Sequence, residues 1–102
     1  GGSGRGGPAY VTSKAAIYGL NRSLARSLGP YNIRVNTVSP GATSTPMISE
    51  YSKSARKAAA NRSMLGRIAE PDDIAQVAKF LISDAARFVT GEVISVSGGS
   101  NV

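Results

Sequence analysis

Two short segments rich in β-branched residues constrain the fold more than any other feature of this chain. They are residues 33–38 (IRVNTV) and 92–96 (EVISV), and helical patterns occupy the sequence between them. Strands joined through helices run parallel, with a right-handed crossover. Parallel strands are normally buried on both faces and paired on both edges. We therefore expect an α/β fold that is incomplete on its own, in which further strands or copies of the chain extend this pair.

Three helical patterns accompany the predicted strands. Leucines and alanines spaced four residues apart predict a helix over residues 9–28, and Gly29-Pro30 ends it. A second helix is expected over 49–60, followed by an irregular stretch over 61–69. Glu70-Pro71 begins the third, whose acidic first turn suits a helix N-terminus better than acid–base catalysis. Its expected buried face consists of Ile74, Val77, Ala78, Leu81 and Ile82.

The composition excludes several classes of chemistry. The 102 residues suit one domain, and they include no cysteine and no histidine. Disulfides and thiolate catalysis are therefore excluded, the usual general base is absent, and no metal site is expected. No long apolar run or signal pattern occurs, so the sequence predicts no membrane association and a cytoplasmic location.

The net charge of +6 is concentrated in one stretch. No acidic residue occurs between Glu50 and Glu70, and the basic residues of that interval are Lys53, Arg56, Lys57, Arg62 and Arg67. A solvated helix face explains such a run better than phosphate binding does. Aromatic residues are not interleaved with the basic ones, so nucleic acid is not an expected partner.

The segment YVTSK near the start of the first helix is the strongest candidate for chemistry. Tyr10 precedes Lys14 by four residues, so a phenol and an ammonium share one helix face. An ammonium favours the phenolate and lowers the pKa of the phenol, which makes it a better proton donor near neutral pH. An incidental lysine on an exposed helix remains the alternative.

The order of motifs along the chain resembles the C-terminal portion of classical members of the short-chain dehydrogenase/reductase family. The matching stretches are YVTSKAAIYGLNRSLA, NIRVNTVSPGATSTPM, GRIAEPDDIAQVAKFLISD and VTGEVISVSGG. The resemblance implies that residues 9–102 are the C-terminal part of a Rossmann-like doubly wound parallel sheet, in the order helix-strand-helix-helix-strand. Residues 1–8 are then a Gly-rich loop or a cloning remnant.

The resemblance also implies roles for individual residues. Tyr10 corresponds to the catalytic acid or base, and Lys14 to the residue that tunes it and holds the nicotinamide ribose. Cofactor-binding positions are implied at Tyr10, Lys14, Pro40, Gly41, Thr43 and Thr45. The reaction is hydride transfer between NAD or NADP and a small carbonyl or alcohol substrate.

Other family features are not found in these 102 residues. No predicted strand is followed by the Gly-rich dinucleotide fingerprint, and no residue corresponds to the catalytic serine. Ser97 stands where relatives often carry an acidic residue. We expect the isolated chain to bind the cofactor weakly, to be inactive and to form homo-oligomers. The alternative is a non-catalytic self-associating module derived from the same fold.

Overall fold

The computed structural model describes residues 8–41 and 52–100, and for residues 8–11 it describes the backbone alone. The elements follow the predicted order and confirm an α/β fold with a two-stranded sheet. In chain order they are α1 (Pro8–Leu28), β1 (Thr37–Pro40), α2 (Lys53–Arg62), α3 (Pro71–Leu81) and β2 (Val93–Val96).

Helix α1 confirms the first predicted helix, and it ends where Gly29-Pro30 interrupts the pattern. The chain continues into one 3₁₀ turn over Gly29–Tyr31. Asn32 then adopts the left-handed conformation, with φ of 61°, and its N–H donates to the carbonyl of Gly29. Asparagine tolerates this conformation, so it reverses the chain towards β1.

The first strand begins later than the sequence predicts, at Thr37 instead of residue 33. In the preceding segment, side chains form hydrogen bonds with residues 89–90. The Arg34 guanidinium donates to Val89 O at 3.1 Å, and Thr90 Oγ1 accepts from the N–H of Val35 at 3.0 Å. Together with one backbone bond, from the N–H of Gly91 to Val35 O at 2.7 Å, they hold this segment without regular strand structure, so the predicted strand is wrong over residues 33–36.

The two strands are parallel, as predicted. The N–H of Thr37 donates to Glu92 O at 2.9 Å, and that of Gly41 donates to Val96 O at 3.1 Å. Donor and acceptor advance along both strands in the same direction, which is the parallel pattern. The second strand was expected one residue earlier, at position 92.

Contacts within the chain define two compact units, which we describe separately. The first comprises Gly1–Thr37 and Phe88–Val93, and the second comprises Val38–Arg87 and Ile94–Val102. Helix α1 lies in the first unit, while α2 and α3 lie in the second.

In the second unit, α2 begins at a serine cap. Ser52 Oγ accepts the N–H of Ala55 at 3.2 Å, which satisfies one of the open donors of the first turn. The helix extends through Arg62, two residues beyond the predicted end. The predicted start at residue 49 lies outside the described residues.

The segment after α2 contacts the glycine turn that follows β2. The Gly98 carbonyl accepts the N–H of Met64 at 2.7 Å and the hydroxyl of Ser63 at 3.2 Å. Gly98 and Gly99 have positive φ angles of 61° and 89°. The backbone conformation at Gly99 favours glycine, and any side chain there would also have to displace the exposed side chain of Met64.

Helix α3 begins at an acidic cap, as its sequence predicts. The Asp73 carboxylate accepts a hydrogen bond from the N–H of Glu70 at 2.7 Å. It also forms an ion pair with the Arg67 guanidinium at 2.7 Å. The hydrogen bond from Arg67, followed by that from the Glu70 backbone, lowers the pKa of Asp73 from 3.8 to about 2. The cap therefore remains charged well below neutral pH.

The predicted apolar faces are only partly buried. Leu81 is buried in α3, but Ala78 is exposed and Ile82 is 83% exposed, so the predicted face is wrong at those two positions. Ile82 lies beyond the last turn of the helix, where no described residue covers it. On α1, Leu20 is 60% exposed and Leu24 39%.

Among the described residues, no helix combines the length and the apolar character needed to cross a membrane.

The Arg67–Asp73 pair gives a prediction about pH. Because the folded pKa of Asp73 lies below 3.8, its contribution to stability is complete above about pH 4 and is lost as the pH falls through about 2. A ¹³C NMR titration of the carboxyl measures this pKa. We expect Arg67→Gln to raise it towards 3.8, whereas the control Arg56→Gln leaves it unchanged. An equally low pKa in Arg67→Gln would contradict this role for the ion pair.

Candidate functional site

The predicted catalytic pair lies on helix α1. Tyr10 and Lys14 belong to one uninterrupted helix, so their positions are one turn apart on the same face. The Lys14 side chain is half-buried and makes contacts within the chain. The side chain of Tyr10 lies outside the described residues. Both positions belong to the first unit.

The predicted cofactor-binding turn begins at the carboxyl end of β1. Pro40 is the last residue of the strand, and Gly41 follows it in the second unit. A Cβ atom at Gly41 would lie 2.9 Å from Ser97 Cβ and 2.9 Å from Ser100 Oγ, so only glycine fits without displacement. Thr43 and Thr45 lie outside the described residues.

Ser97 lies at this turn, next to Gly41. Ser97 is buried, and its Oγ accepts the hydroxyl of Ser95 at 3.1 Å. It lies directly against Gly41, and its position excludes a side chain at Gly41. The structure thus brings position 97 to the end of β1, where the sequence comparison with relatives had shown only an unexplained substitution.

Sequence reasoning missed a polar residue that anchors α1. Asn21 is 3% exposed, and its Oδ1 accepts the hydroxyl of Thr37 at 2.8 Å. Its Nδ2 donates to Glu92 O at 3.3 Å. Its position in the sequence could have indicated this role, because Asn21 lies four residues after Ile17 and four before Ala25 in a row of apolar residues. A polar side chain in such a row is buried only when it has hydrogen-bond partners.

A partly open cavity of about 170 Å³ lies in the second unit, between the glycine turn and the start of α3. Its polar lining comes mainly from Ser63, Ser97, Arg67 and Asp73. The two charged groups neutralise each other, and Ser63 donates to Gly98. Across the described ranges, no buried side-chain nitrogen or oxygen lacks a hydrogen-bond partner. Nothing in this cavity marks a reactive group.

Metal chemistry has no support in the described parts of the chain. Residues 8–41 and 52–100 contain no group of three acidic side chains that could hold an ion. Histidine and cysteine do not occur in the sequence. Of the site residues predicted from the sequence, the structure describes Lys14, Pro40 and Gly41 in full, and Tyr10 by its backbone alone.

Known proteins are similar to this chain over most of its length. A family model described as enoyl-(acyl carrier protein) reductase matches residues 2–101. The 3-oxoacyl-[acyl-carrier-protein] reductase FabG of Thermotoga maritima is 44% identical over 90 residues, which are 88% of this chain and 37% of the relative. The 3alpha-hydroxysteroid dehydrogenase of Mediterraneibacter gnavus is 48% identical over 94 residues, 92% of this chain and 38% of the relative.

Solved structures show the same likeness. The crystal structure of 3-oxoacyl-[acyl-carrier protein] reductase from Brucella melitensis is similar with a TM-score of 0.83 and 38% identity, covering 88% of this chain and 34% of that one. A short chain dehydrogenase family protein from Francisella tularensis gives 0.82 and 38%, covering 95% and 46%. The chain thus spans less than half the length of these relatives. From the match over residues 2–101 and these identities, the chain belongs to the short-chain dehydrogenase/reductase family.

Proposed function

We propose that this chain carries the proton-transfer half of an NAD(P)-dependent oxidoreductase site that interconverts a carbonyl and an alcohol. One observation carries the proposal: Tyr10 and Lys14 lie one turn apart on the uninterrupted helix α1 of a family member. The names of the relatives indicate different substrates, a 3-oxoacyl-[acyl-carrier-protein] for one and a 3alpha-hydroxysteroid for the other. The proposed substrate class therefore remains a small molecule with a carbonyl or hydroxyl group.

Tyr10 is the proposed acid and base. In reduction its phenol donates a proton to the substrate oxygen as the carbonyl becomes an alcohol, and in oxidation the phenolate takes that proton back. Lys14 supplies positive charge one helical turn away, which favours the phenolate.

Members of this family generally use NAD or NADP. The candidate residues of this chain suit the nicotinamide end of such a cofactor. Lys14 is a half-buried donor suited to the ribose hydroxyls. Pro40 ends a parallel strand and Gly41 follows it, and doubly wound sheets bind their ligands at the carboxyl ends of such strands. Thr43 and Thr45 are the proposed partners of the carboxamide and phosphate. When bound, the nicotinamide gives or takes the hydride.

Residues 9–102 are, on this proposal, the C-terminal part of a Rossmann-fold domain. A chimera can test it, with this chain in place of the matching 90 residues of the Thermotoga maritima reductase. The chimera restores the strands and the dinucleotide fingerprint that these 102 residues do not supply.

In that chimera, Tyr10→Phe should lower kcat by at least about 100-fold, because the exchangeable proton is lost while the ring remains. Lys14→Ala should lower kcat and raise the KM for the cofactor, since both charge and ribose contacts are removed. Steady-state kinetics with NADPH and NADH measure both. Tyr18→Phe, an exposed tyrosine of the same helix, is the matched control. Full turnover in Tyr10→Phe would assign the proton to another group.

The isolated 102-residue chain should bind NADH and NADPH with millimolar or weaker affinity. The proposed nicotinamide contacts amount to a few hydrogen bonds of about 1 kcal/mol each, against an association cost of at least about 4 kcal/mol. Isothermal titration calorimetry gives the dissociation constant, and turnover should be undetectable. A low-micromolar value would show that the chain, alone or as an oligomer, forms a full dinucleotide site.

The alternative function, a self-associating module without catalysis, has its own supporting observation. Several large apolar side chains of α1 are exposed, namely Ile17, Leu20 and Leu24. Exposed apolar residues grouped on one helix are typical of interaction surfaces. Homo-oligomer formation suits either proposed function, whereas cofactor-dependent turnover in the chimera is expected only for the oxidoreductase.

Light scattering after size-exclusion chromatography should therefore give a mass above that of a monomer at micromolar concentration. Leu20→Glu with Leu24→Glu should shift the chain towards the monomer, because the charges oppose apolar contact. The control Leu65→Glu changes an exposed leucine of the second unit. A monomeric mass with cooperative thermal unfolding would contradict self-association.

A further inference from the structure

We propose that Asn21 is a positioning residue: its paired hydrogen bonds to Thr37 and Glu92 set the rotation of α1 about its axis, and with it the face occupied by Tyr10 and Lys14. This inference rests on the proposed function of those two residues. It assigns to Asn21 no contact with substrate or cofactor.

The contacts form a closed triangle within the first unit. Thr37 Oγ1 donates to Asn21 Oδ1 at 2.8 Å, and Asn21 Nδ2 donates to Glu92 O at 3.3 Å. Glu92 O also accepts the N–H of Thr37 at 2.9 Å. The side-chain amide of Asn21 therefore donates to one partner and accepts from the other. The two partners are themselves joined by a hydrogen bond between the parallel strands.

Apolar packing does not fix the rotation of α1 in this chain. Among the side chains of α1 that the structure describes, only Asn21 and Ala25 are buried. Ala25 Cβ lies 3.5 Å from where a Cβ of Gly91 would be, which is ordinary contact between small groups. Such a contact permits close approach but has no preferred direction, whereas the two hydrogen bonds of an amide depend on angle.

Helix geometry connects this anchor to the proposed catalytic pair. With 3.6 residues per turn, positions 10, 14 and 21 fall within an arc of about 40° on one side of the helix. Lys14 lies two turns before Asn21, and Tyr10 lies three turns before it. Because the helix is rigid, any rotation of α1 at Asn21 rotates positions 10 and 14 by the same angle. The rotation of α1 that Asn21 fixes therefore decides which way Tyr10 and Lys14 face.

The full chain allows a direct measurement of that angle because it contains no cysteine. Leu20 and Arg22 lie on opposite flanks of Asn21, about 100° to either side. Each is replaced by a spin-labelled cysteine and paired with a second label at Phe88→Cys, in the same unit and fully exposed. Pulsed electron paramagnetic resonance then gives two distances. Excess unlabelled chain suppresses distances between copies.

The informative variants are Asn21→Leu and Thr37→Val. Asn21→Leu keeps the branched shape of the side chain and removes both of its hydrogen bonds, whereas Thr37→Val keeps the volume and removes the bond from Thr37 to Asn21. We expect the two distances to shift in opposite directions by about 2 Å, the arc swept at ~5 Å from the axis by a turn of about 25°. Thr37→Ser retains the hydroxyl and should retain both distances.

Three results would overturn the inference. The first is unchanged mean distances in both variants, even if the distributions broaden. The second is an equal shift in Thr37→Ser and Thr37→Val. The third is loss of the helical circular dichroism signal in both Asn21→Leu and Thr37→Val, which would show that the hydrogen bonds only stabilise the helix. The measurement involves neither cofactor nor turnover. Its failure therefore leaves the proposed function standing, and a failed chimera leaves the rotation result valid.

Discussion

Asn36 bridges two segments that are more than fifty residues apart in the chain, and the register of the sheet depends on that bridge. Its Nδ2 donates to Val89 O at 3.0 Å, and its Oδ1 accepts the N–H of Glu92 at 3.1 Å. One side chain thus fixes both ends of a four-residue stretch. Because Thr37 follows directly, the same register places Glu92 O where Thr37 and Asn21 both reach it.

This arrangement makes the position of α1 a consequence of strand pairing. Asn36 and Thr37 both form hydrogen bonds with the backbone of Glu92, and these bonds agree in register. Asn21 joins helix α1 to Thr37 through the Thr37 hydroxyl. A network of amides and a hydroxyl is directional where a small-residue contact is not. In the first unit, hydrogen bonds between polar side chains therefore orient α1, the helix that contains Tyr10 and Lys14.

Local sequence signals predicted most of the elements and part of the site. Spacing of apolar residues located α1, and the Glu70-Pro71 start located α3, because helix formation and capping depend on neighbours in sequence. The spacing of Tyr10 and Lys14 likewise needed only a helical period. The strand start was mispredicted because residues 34–36 are satisfied by Val89 and Thr90, which are distant in sequence. Asn21 was missed for the same reason, since its partners are visible only after folding.

The glycine turn after β2 has a consequence for how the chain can vary in length. Ser63 and Met64 donate hydrogen bonds to the Gly98 carbonyl, so the segment between them and Gly98, which contains α3 and β2, is closed by contacts at its two ends. The entropy of closing a loop grows only slowly with length, at about 0.6 kcal/mol for each doubling. Residues added within that stretch, away from α3 and β2, change this closure cost little. Insertions in the connections to α3 and β2 therefore cost little stability as long as the closing turn is kept.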